Sequence, residues 1–399
     1  MDDKKKPAGQ RNQIVGKPAR KKNGSKKKPA GKRDRTERDT RIKRKRKTRV
    51  KRKRESKENE KKRKTGIKIK KLEQIEQGRT EMEQKTEIRG IIRAVCISSE
   101  KGTEKRPVPE AILKKDFGIE GDAHAGKWHR QVSLLSYDKV EAFNALGAQV
   151  QDGDFGENIL VEGIDLKSLP VGSILRAGTV VMRMTQIGKE CHTSCAIRMR
   201  VGDCIMPREG VFAEVLEEGM IRPGDVLTAQ LPDPERPFTA AVITLSDKGA
   251  KGDRVDQSGP AAVQMLEQAG YEVIETLILP DEPALLKQAL IRLADQRQAD
   301  LILTSGGTGF SMRDQTPEAT MEVADRNAPG IAEYIRMRSA EITDRAMLSR
   351  GVSVIRGGTL IVNLPGSPKA VKESLGFILN ALDHGLRILR GSASECART

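Results

Sequence analysis

The sequence predicts a multi-domain chain: a disordered basic N-terminal tail, a mostly-β barrel, and a three-layer α/β domain. Three observations carry this. The excess positive charge is confined to one end of the chain. The stretch after it reads as short strand-like pieces punctuated by Gly, Pro and Asp. From residue 238 onward, apolar strand patterns alternate with helical ones.

The tail comes first. The 399 residues hold 73 Lys and Arg against 55 Asp and Glu, a net charge of +18. Residues 1–90 contain 37 of the cations and 13 of the acids, which leaves 36 against 42 for residues 91–399. The part with folding potential is therefore mildly acidic. Runs such as Lys43–Lys47 merely alternate lysine and arginine. With so few apolar residues to offset the entropy of ordering, residues 1–87 are expected to be disordered, with at most a frayed helix over residues 66–90. Two readings stay open: an arm that binds nucleic acid or another polyanion, and a solvated extension or a start placed too far upstream. The tail lacks Phe, Trp and Tyr for stacking on bases, which argues against nucleic acid as a partner.

No stretch approaches the ~20 apolar residues of a membrane span, and the charged N-terminus has no apolar core of a secretory signal. Five cysteines argue against a disulfide framework and for a reducing, cytoplasmic setting. Three of them, Cys191, Cys195 and Cys204, crowd together in a way that suggests chemistry.

Residues 88–230 form the first folded segment. Ile91–Ile97, Gln131–Leu135, Asn158–Val161, Ser173–Arg176, Val180–Ile187 and Asp225–Thr228 read as strands. Helical pattern is confined to Tyr137–Leu146 and a piece near Phe212–Glu217. Such spacing predicts a mostly antiparallel barrel. Residues 231–237 carry three prolines and read as a linker.

Residues 238–391 change rhythm. Strands are predicted at Thr239–Thr244, Glu272–Ile278, Leu301–Thr304 and Thr359–Leu364. Helices are predicted at Gly259–Ala269, Glu282–Arg297, Pro317–Ala324 and Ala370–Arg390. This is a parallel or mixed sheet covered on both faces, with ligands expected beyond the carboxyl ends of the strands. Three loops there are rich in Gly, Ser and Asp. The first runs from Ser246 and Asp247 to Ser258, Gly259 and Pro260; the second is Ser305-Gly306-Gly307-Thr308-Gly309; the third is Asn363-Leu364-Pro365-Gly366-Ser367-Pro368-Lys369. Glycines let backbone amides approach an anion, and a helix N-terminus adds partial positive charge. Asp281 and Asp314 sit at the same edge. Each reads singly as a helix cap; together, beside a phosphate cradle, they suit Mg²⁺ shared with substrate phosphates.

The Ser-Gly-Gly-Thr-Gly run, the Arg313-Asp314-Gln315-Thr316-Pro317-Glu318-Ala319-Thr320 continuation and the Asn363–Lys369 turn resemble the MoaB/Mog family of molybdopterin adenylyltransferases, over essentially all of residues 238–391. The resemblance implies a nucleotidyltransferase that joins molybdopterin's terminal phosphate to the α-phosphate of ATP, with Mg²⁺, and that assembles as a homotrimer. It implies that Asp281 and Asp314 are catalytic and metal-linked. Ser246, Ser258, Gly259, Gly306, Gly307, Thr308, Gly309, Asn363, Pro365, Gly366 and Ser367 would hold phosphates or pterin, and Ser339 would contact molybdopterin.

Residues 88–230 resemble MOSC domains. The supporting signals are Phe117–Gly126, Gly153-Asp154-Phe155-Gly156-Glu157-Asn158, Thr185–Cys191 and the Gly219–Asp225 turn. The usual Pro-Arg approach to the family cysteine is replaced by Ile187-Gly188-Lys189-Glu190. A thiolate is a soft ligand for molybdenum and a carrier of persulfide sulfur; Cys191 is the expected molybdenum ligand and catalytic cysteine, with Lys189 and Arg198 nearby. Zinc held by Cys191, His192, Cys195 and Cys204 is a competing reading, although the spacing is not a standard one. Cys96 and Cys204 singly read as buried and inert, and His124 and His129 as either pocket-lining or structural.

The combined expectation is molybdenum cofactor biosynthesis, with molybdopterin and ATP as partners. Molybdate-insertion and sulfur-transfer proteins are further expected partners. The alternatives are a non-catalytic cofactor carrier and, on the tail alone, an RNA-binding protein.

Overall fold

The computed structural model describes residues 88–190 and 203–391. The basic tail, including Lys43–Lys47, and the segment holding Cys191, His192, Cys195 and Arg198 lie outside them. Eleven strands make the first segment: β1 (Ile88–Ile97), β2 (Arg106–Val108), β3 (Ala111–Lys114), β4 (Gly118–Ile119), β5 (Val132–Ser136), β6 (Ile159–Glu162), β7 (Ile174–Ala177), β8 (Val180–Ile187), β9 (Val211–Glu217), β10 (Gly219–Ile221) and β11 (Val226–Gln230). Seven close into a barrel in the order β1-β6-β5-β9-β8-β7-β11, with β11 pairing back onto β1. The β5–β6 pair is parallel and the other pairs of the ring are antiparallel.

Period-two patterning is what closes the ring. Ile92, Leu134, Ile159, Leu175, Met182, Ala213 and Leu227, one from each barrel strand, meet in the interior. Their neighbours Leu135, Leu160 and Phe212 turn outward onto Val140 and Phe143 of α1 (Tyr137–Ala145) and Met206 of α2 (Met206–Glu209). The helix expected near Phe212–Glu217 is instead strand β9. Val211, Ala213 and Val215 all face the barrel core, and the register with β8 and β5 outweighs the helix-forming tendency of Ala, Glu and Leu in the segment. The small sheet β10-β3-β4 has strands of two to four residues, too short to show a period.

The second segment contains β12 (Thr239–Leu245), β13 (Glu272–Leu279), β14 (Leu301–Ser305), β15 (Arg326–Asn327), β16 (Ser353–Arg356) and β17 (Thr359–Leu364). Their order in the sheet is β13-β12-β14-β17-β16-β15. The first four run parallel, β16 is antiparallel to β17, and β15 is antiparallel to β16. The helices are α3 (Asp247–Ala250), α4 (Ser258–Gln268), α5 (Pro283–Ile291), α6 (Thr316–Glu322), α7 (Pro329–Ala340) and α8 (Pro368–Leu389). Alternate strand residues sort the layers. Ala240, Val242, Leu301, Leu303, Leu360 and Val362 face α4, α7 and α8. Ala241, Ile243, Ile302 and Ile361 face α5 and α6. Three layers result, as the pattern predicts; α7, β15 and β16 were not anticipated.

The described residues of both segments fall in one compact unit. The barrel docks against the edge of the sheet where β12 and β13 begin. Arg183 of β8 forks onto Glu272 at 2.7 and 3.1 Å while its Nε holds Glu214 at 2.6 Å. The Val171 amide donates to Gln298 at 2.8 Å. The glycine-rich loops leave the opposite edge, so the cradle and the barrel lie at opposite ends of the parallel strands.

Candidate functional site

Parallel strands deliver their loops to one edge, and the predicted residues converge there. Gly306 follows β14 with φ +107°, and a Cβ on it would stand 2.4 Å from the carbonyl oxygen of Leu245 at the end of β12. Gly307 has φ +63°; a Cβ there would lie 2.2 Å from Thr316 Oγ1 and 3.4 Å from Asp281 Oδ1. A Cβ on Gly309 would reach Asp314 Oδ2 at 2.9 Å. The loop therefore runs between the two carboxylates, with no room for side chains at its glycines.

The third loop closes on it. Gly366 packs against the Gly306 backbone, Ser305 Oγ donates to Pro365 O at 3.0 Å, and Ser258 Oγ donates to Gly366 O at 2.8 Å. Gly259 opens α4 with its amide on Asp256. Ser246 caps α3, accepting from the Gly249 amide at 3.0 Å, and Ser367 caps α8, accepting from Ala370. Thr308 is buried, and its carbonyl accepts the Arg350 amide. Asn363 is 3% exposed; its amide nitrogen donates to Thr304 and Thr320 and its oxygen accepts from Val352. That places Asn363 beneath the loop, as a brace. Ser339 lies half-buried in the last turn of α7, where its carbonyl accepts the Ile342 and Thr343 amides.

The acids interact. Burial, together with the negative charges of Asp247 and Asp314, raises the Asp281 carboxyl above its ordinary value, against the opposing hydrogen bond from the Asp247 amide. The Asp247 and Asp281 amides each donate to the other's carboxylate at 3.1 Å. Hydrogen bonding from Arg313 lowers Asp247. Among the described residues no group of three or more His, Cys, Asp or Glu side chains forms a metal cage. Mg²⁺ characteristically takes one or two carboxylates plus substrate phosphates and water, so this repelling pair suits it.

Sequence reasoning missed Arg350 and Arg313. Arg350 Nε donates to Gly309 O at 2.7 Å, and its other nitrogens reach Asp314 O and Glu318. It thereby ties both ends of the acid loop. Arg313 bridges Asp247 and Glu282 across the mouth. Their bonds go to main-chain carbonyls and to loops distant in sequence, which leaves no local signal.

In the barrel, Cys191 and the zinc alternative's His192 and Cys195 lie outside the described residues. The preceding Gly188 and Lys189 are anchored by Gly210 O and Pro207 O. Cys96 and Cys204 are buried, and burial pushes the Cys96 thiol up to about 12, which makes it inert. The Gly-Ile-Glu-Gly-Asp and Gly-Asp-Phe-Gly-Glu-Asn motifs meet around a buried ion pair. Lys105 Nζ contacts Asp122 Oδ2 at 2.6 Å, and Asn158 donates to the same oxygen at 3.0 Å. Burial opposes the Asp122 charge, but hydrogen bonds from His124 and Lys105 hold its carboxyl far below the usual range. His129 shares a 2.9 Å hydrogen bond with Gln186.

Glu157 is fully buried. One oxygen accepts the Gly153 amide at 2.7 Å and the other has no partner; burial pushes its carboxyl up from 4.5 to about 7. Between those values the unfolded chain gives up the proton while the fold keeps it, so stability falls as pH rises through that window and levels off above it. Glu157→Gln is therefore expected to stabilise the barrel by about 3 kcal/mol at pH 8 and not at pH 4. Parallel stability curves for the two proteins in urea across this range would overturn the assignment.

Architecture and site define a class: an α/β domain with a glycine loop set between two acids, joined to a closed β-barrel. Residues 241–384 match the family model described as "Probable molybdopterin binding domain", and residues 121–228 match the MOSC domain. The chain is 45% identical to the molybdopterin adenylyltransferase of Haemophilus influenzae over 136 residues, 34% of this chain and 69% of that protein. It is 43% identical to that of Escherichia coli K12 over 143 residues, 35% of this chain and 73% of that one. It is 39% identical to the molybdenum cofactor synthesis protein cinnamon of Drosophila melanogaster over 164 residues, 41% of this chain and 27% of that protein. The chain belongs to the molybdopterin adenylyltransferase family, here fused to a MOSC domain.

Proposed function

We propose that residues 238–391 transfer the adenylyl group of ATP to the terminal phosphate of molybdopterin, and that residues 88–230, joined through the linker 231–237, hold the maturing cofactor through Cys191. One observation carries the first reading: a glycine loop without side-chain bulk runs between Asp281 and Asp314 at the ligand edge of a parallel sheet. A phosphate oxygen of molybdopterin forms the new bond to the α-phosphorus as the bond to the β-phosphate oxygen breaks, and pyrophosphate leaves. The nucleophile is already an anion, so the chain needs to align and neutralise rather than to remove a proton. The amides of Gly307, Thr308 and Gly309 and the start of α8 with Gly366 and Ser367 receive phosphate oxygens or pterin, while Gly306, whose amide donates to Leu364 O, and Ser258 and Gly259, whose amides are held by Asp256, line the cradle. Ser246, Pro365 and Asn363 shape the loops, and Ser339 takes part in molybdopterin binding. Mg²⁺, held by Asp281 and Asp314, would supply charge neutralisation for the phosphates.

Incubation of the purified chain with molybdopterin and Mg-ATP should give adenylylated molybdopterin and pyrophosphate in equal amounts. Tight molybdopterin binding without product would replace this reading with that of a carrier. For the barrel, Cys191→Ser is expected to lose molybdenum retention on gel filtration at least tenfold while adenylyl transfer is unchanged; retained metal would remove Cys191 as ligand. A cytoplasmic setting and a homotrimer are part of the proposal, and the alternative role for the same thiol is to carry sulfur: the Cys191 thiolate would take the outer sulfur of a persulfide donor, whose own thiolate leaves. Phe310 and Met312, large apolar side chains exposed just after the glycine loop, suit a surface covered in an oligomer. No helix among the described residues is long and apolar enough to cross a membrane.

A further inference from the structure

Between the barrel and the starting edge of the sheet lies a cavity of about 440 Å³, within the size range of small-molecule sites, which favour domain junctions. Part of its wall is apolar, with Val171 and Ile174 from the barrel and Val273 and Ile274 from β13. The charged remainder is nearly all paired. Glu214 and Glu272 are both held by Arg183, and Arg236 by Asp300; Asp233 accepts the Glu235 amide.

Arg297 is the exception. Its side chain is 4% exposed. One terminal nitrogen donates to Ile274 O at 3.3 Å, whereas Nε and Nη1 have no hydrogen-bond partner among the described residues. The nearest carboxylate, Glu275, stands 3.8 Å from Nε and is engaged by both terminal nitrogens of Arg292. The imbalance reaches the barrel side: burial and the Arg297 charge push His129 down to about 4, so a neutral imidazole faces the cation. A buried cation without a full partner is strongly unfavourable, and an anion entering the cavity would relieve it. The segment that carries Arg297 follows a π-helical turn, Arg292–Gln296, at the end of α5, an irregularity found often at functional sites.

We propose that this junction cavity binds a small organic anion, a carboxylate or phosphate ester with an apolar body. The charge pairs with Arg297, and the body lies against Val171, Ile174, Val273 and Ile274. The site is separate from the cradle, since it opens at the other end of the strands.

Phenyl phosphate is a suitable probe, with inorganic phosphate and phenol as its two halves. Mg-ATP is kept at saturating concentration to fill the cradle. Trp128, the sole tryptophan, packs edge-on against His129 at 6.1 Å and reports on the cavity. Phenyl phosphate should saturate one site by calorimetry and change Trp128 fluorescence, binding at least tenfold more tightly than either half. Arg297→Gln should weaken it at least tenfold while adenylyl transfer stays unchanged. Val273→Phe, which keeps the guanidinium and fills the cavity, should do the same and decides the matter if the arginine variant fails to fold. The absence of saturable binding, or undiminished binding to Val273→Phe, would overturn the site.

Discussion

Asp314→Ala is expected to reduce adenylyl transfer by about a thousandfold, the scale of a single charge-stabilising group in phosphoryl transfer, and Asp281→Ala is expected to do likewise. Both carboxylates border the same glycine loop, Asp281 beside Gly307 and Asp314 beside Gly309. Burial and neighbouring negative charge raise Asp281, a repulsion that a divalent cation between the acids would relieve. The rate should also fall with acidity as Asp281 takes up its proton, and added Mg²⁺ should move that fall to lower pH. Molybdopterin affinity should remain within a few fold of the parent in both variants, which separates a charge role from a folding one. Pyrophosphate release at the parental rate from either variant would remove that acid from the mechanism. Arg350 offers a contrast. It touches the loop through Gly309 O and Asp314 O, so Arg350→Ala should act by loosening the loop rather than by removing a reacting group.

Gly306→Ala is expected to destabilise the α/β domain by about 4 kcal/mol and to abolish ATP binding measurable by calorimetry. Two costs add. A φ of +107° is one that L side chains rarely adopt, worth about 1–3 kcal/mol. The new Cβ would stand 2.4 Å from Leu245 O, a main-chain atom at the end of β12 in register with Leu279 of β13, and overpacking of this kind costs roughly 1–3 kcal/mol more. The loop has to shift, and its backbone amides shift with it. Gly330→Ala, where a Cβ meets nothing, serves as the control. Equal denaturation midpoints and equal ATP affinity for Gly306→Ala and the parent would show that the loop tolerates bulk.

Much of this molecule is legible in its sequence because local rules suffice for it. Alternation along Ala240–Leu245 and Leu301–Leu303 puts successive side chains on opposite faces, which dictates a sheet covered on both sides. Parallel strands must then present their loops at a common edge, so Gly306, Gly366, Ser258 and the two acids could be placed together from order alone. The failures have a common cause as well. Val211–Glu217 carries residues that suit a helix, and only the ring of seven strands makes it β9. Asn363 resembles a ligand-binding residue beside Pro365 and Gly366, yet Thr304, Thr320 and Val352 use up its amide.

The glycine loop, the spacing of Asp281 and Asp314, and the change from barrel to α/β rhythm were thus determined by the sequence itself, since each depends on near neighbours in the chain. Tertiary structure alone decided the rest. It brought Arg350 to the loop from 36 residues beyond Asp314 and set Arg183 against Glu272 across the two segments. It also buried Arg297 at their junction with two nitrogens lacking a hydrogen-bond partner among the described residues. Such partners are chosen by distance in space, and a buried charge reveals its need for a counterion only once water has been excluded around it.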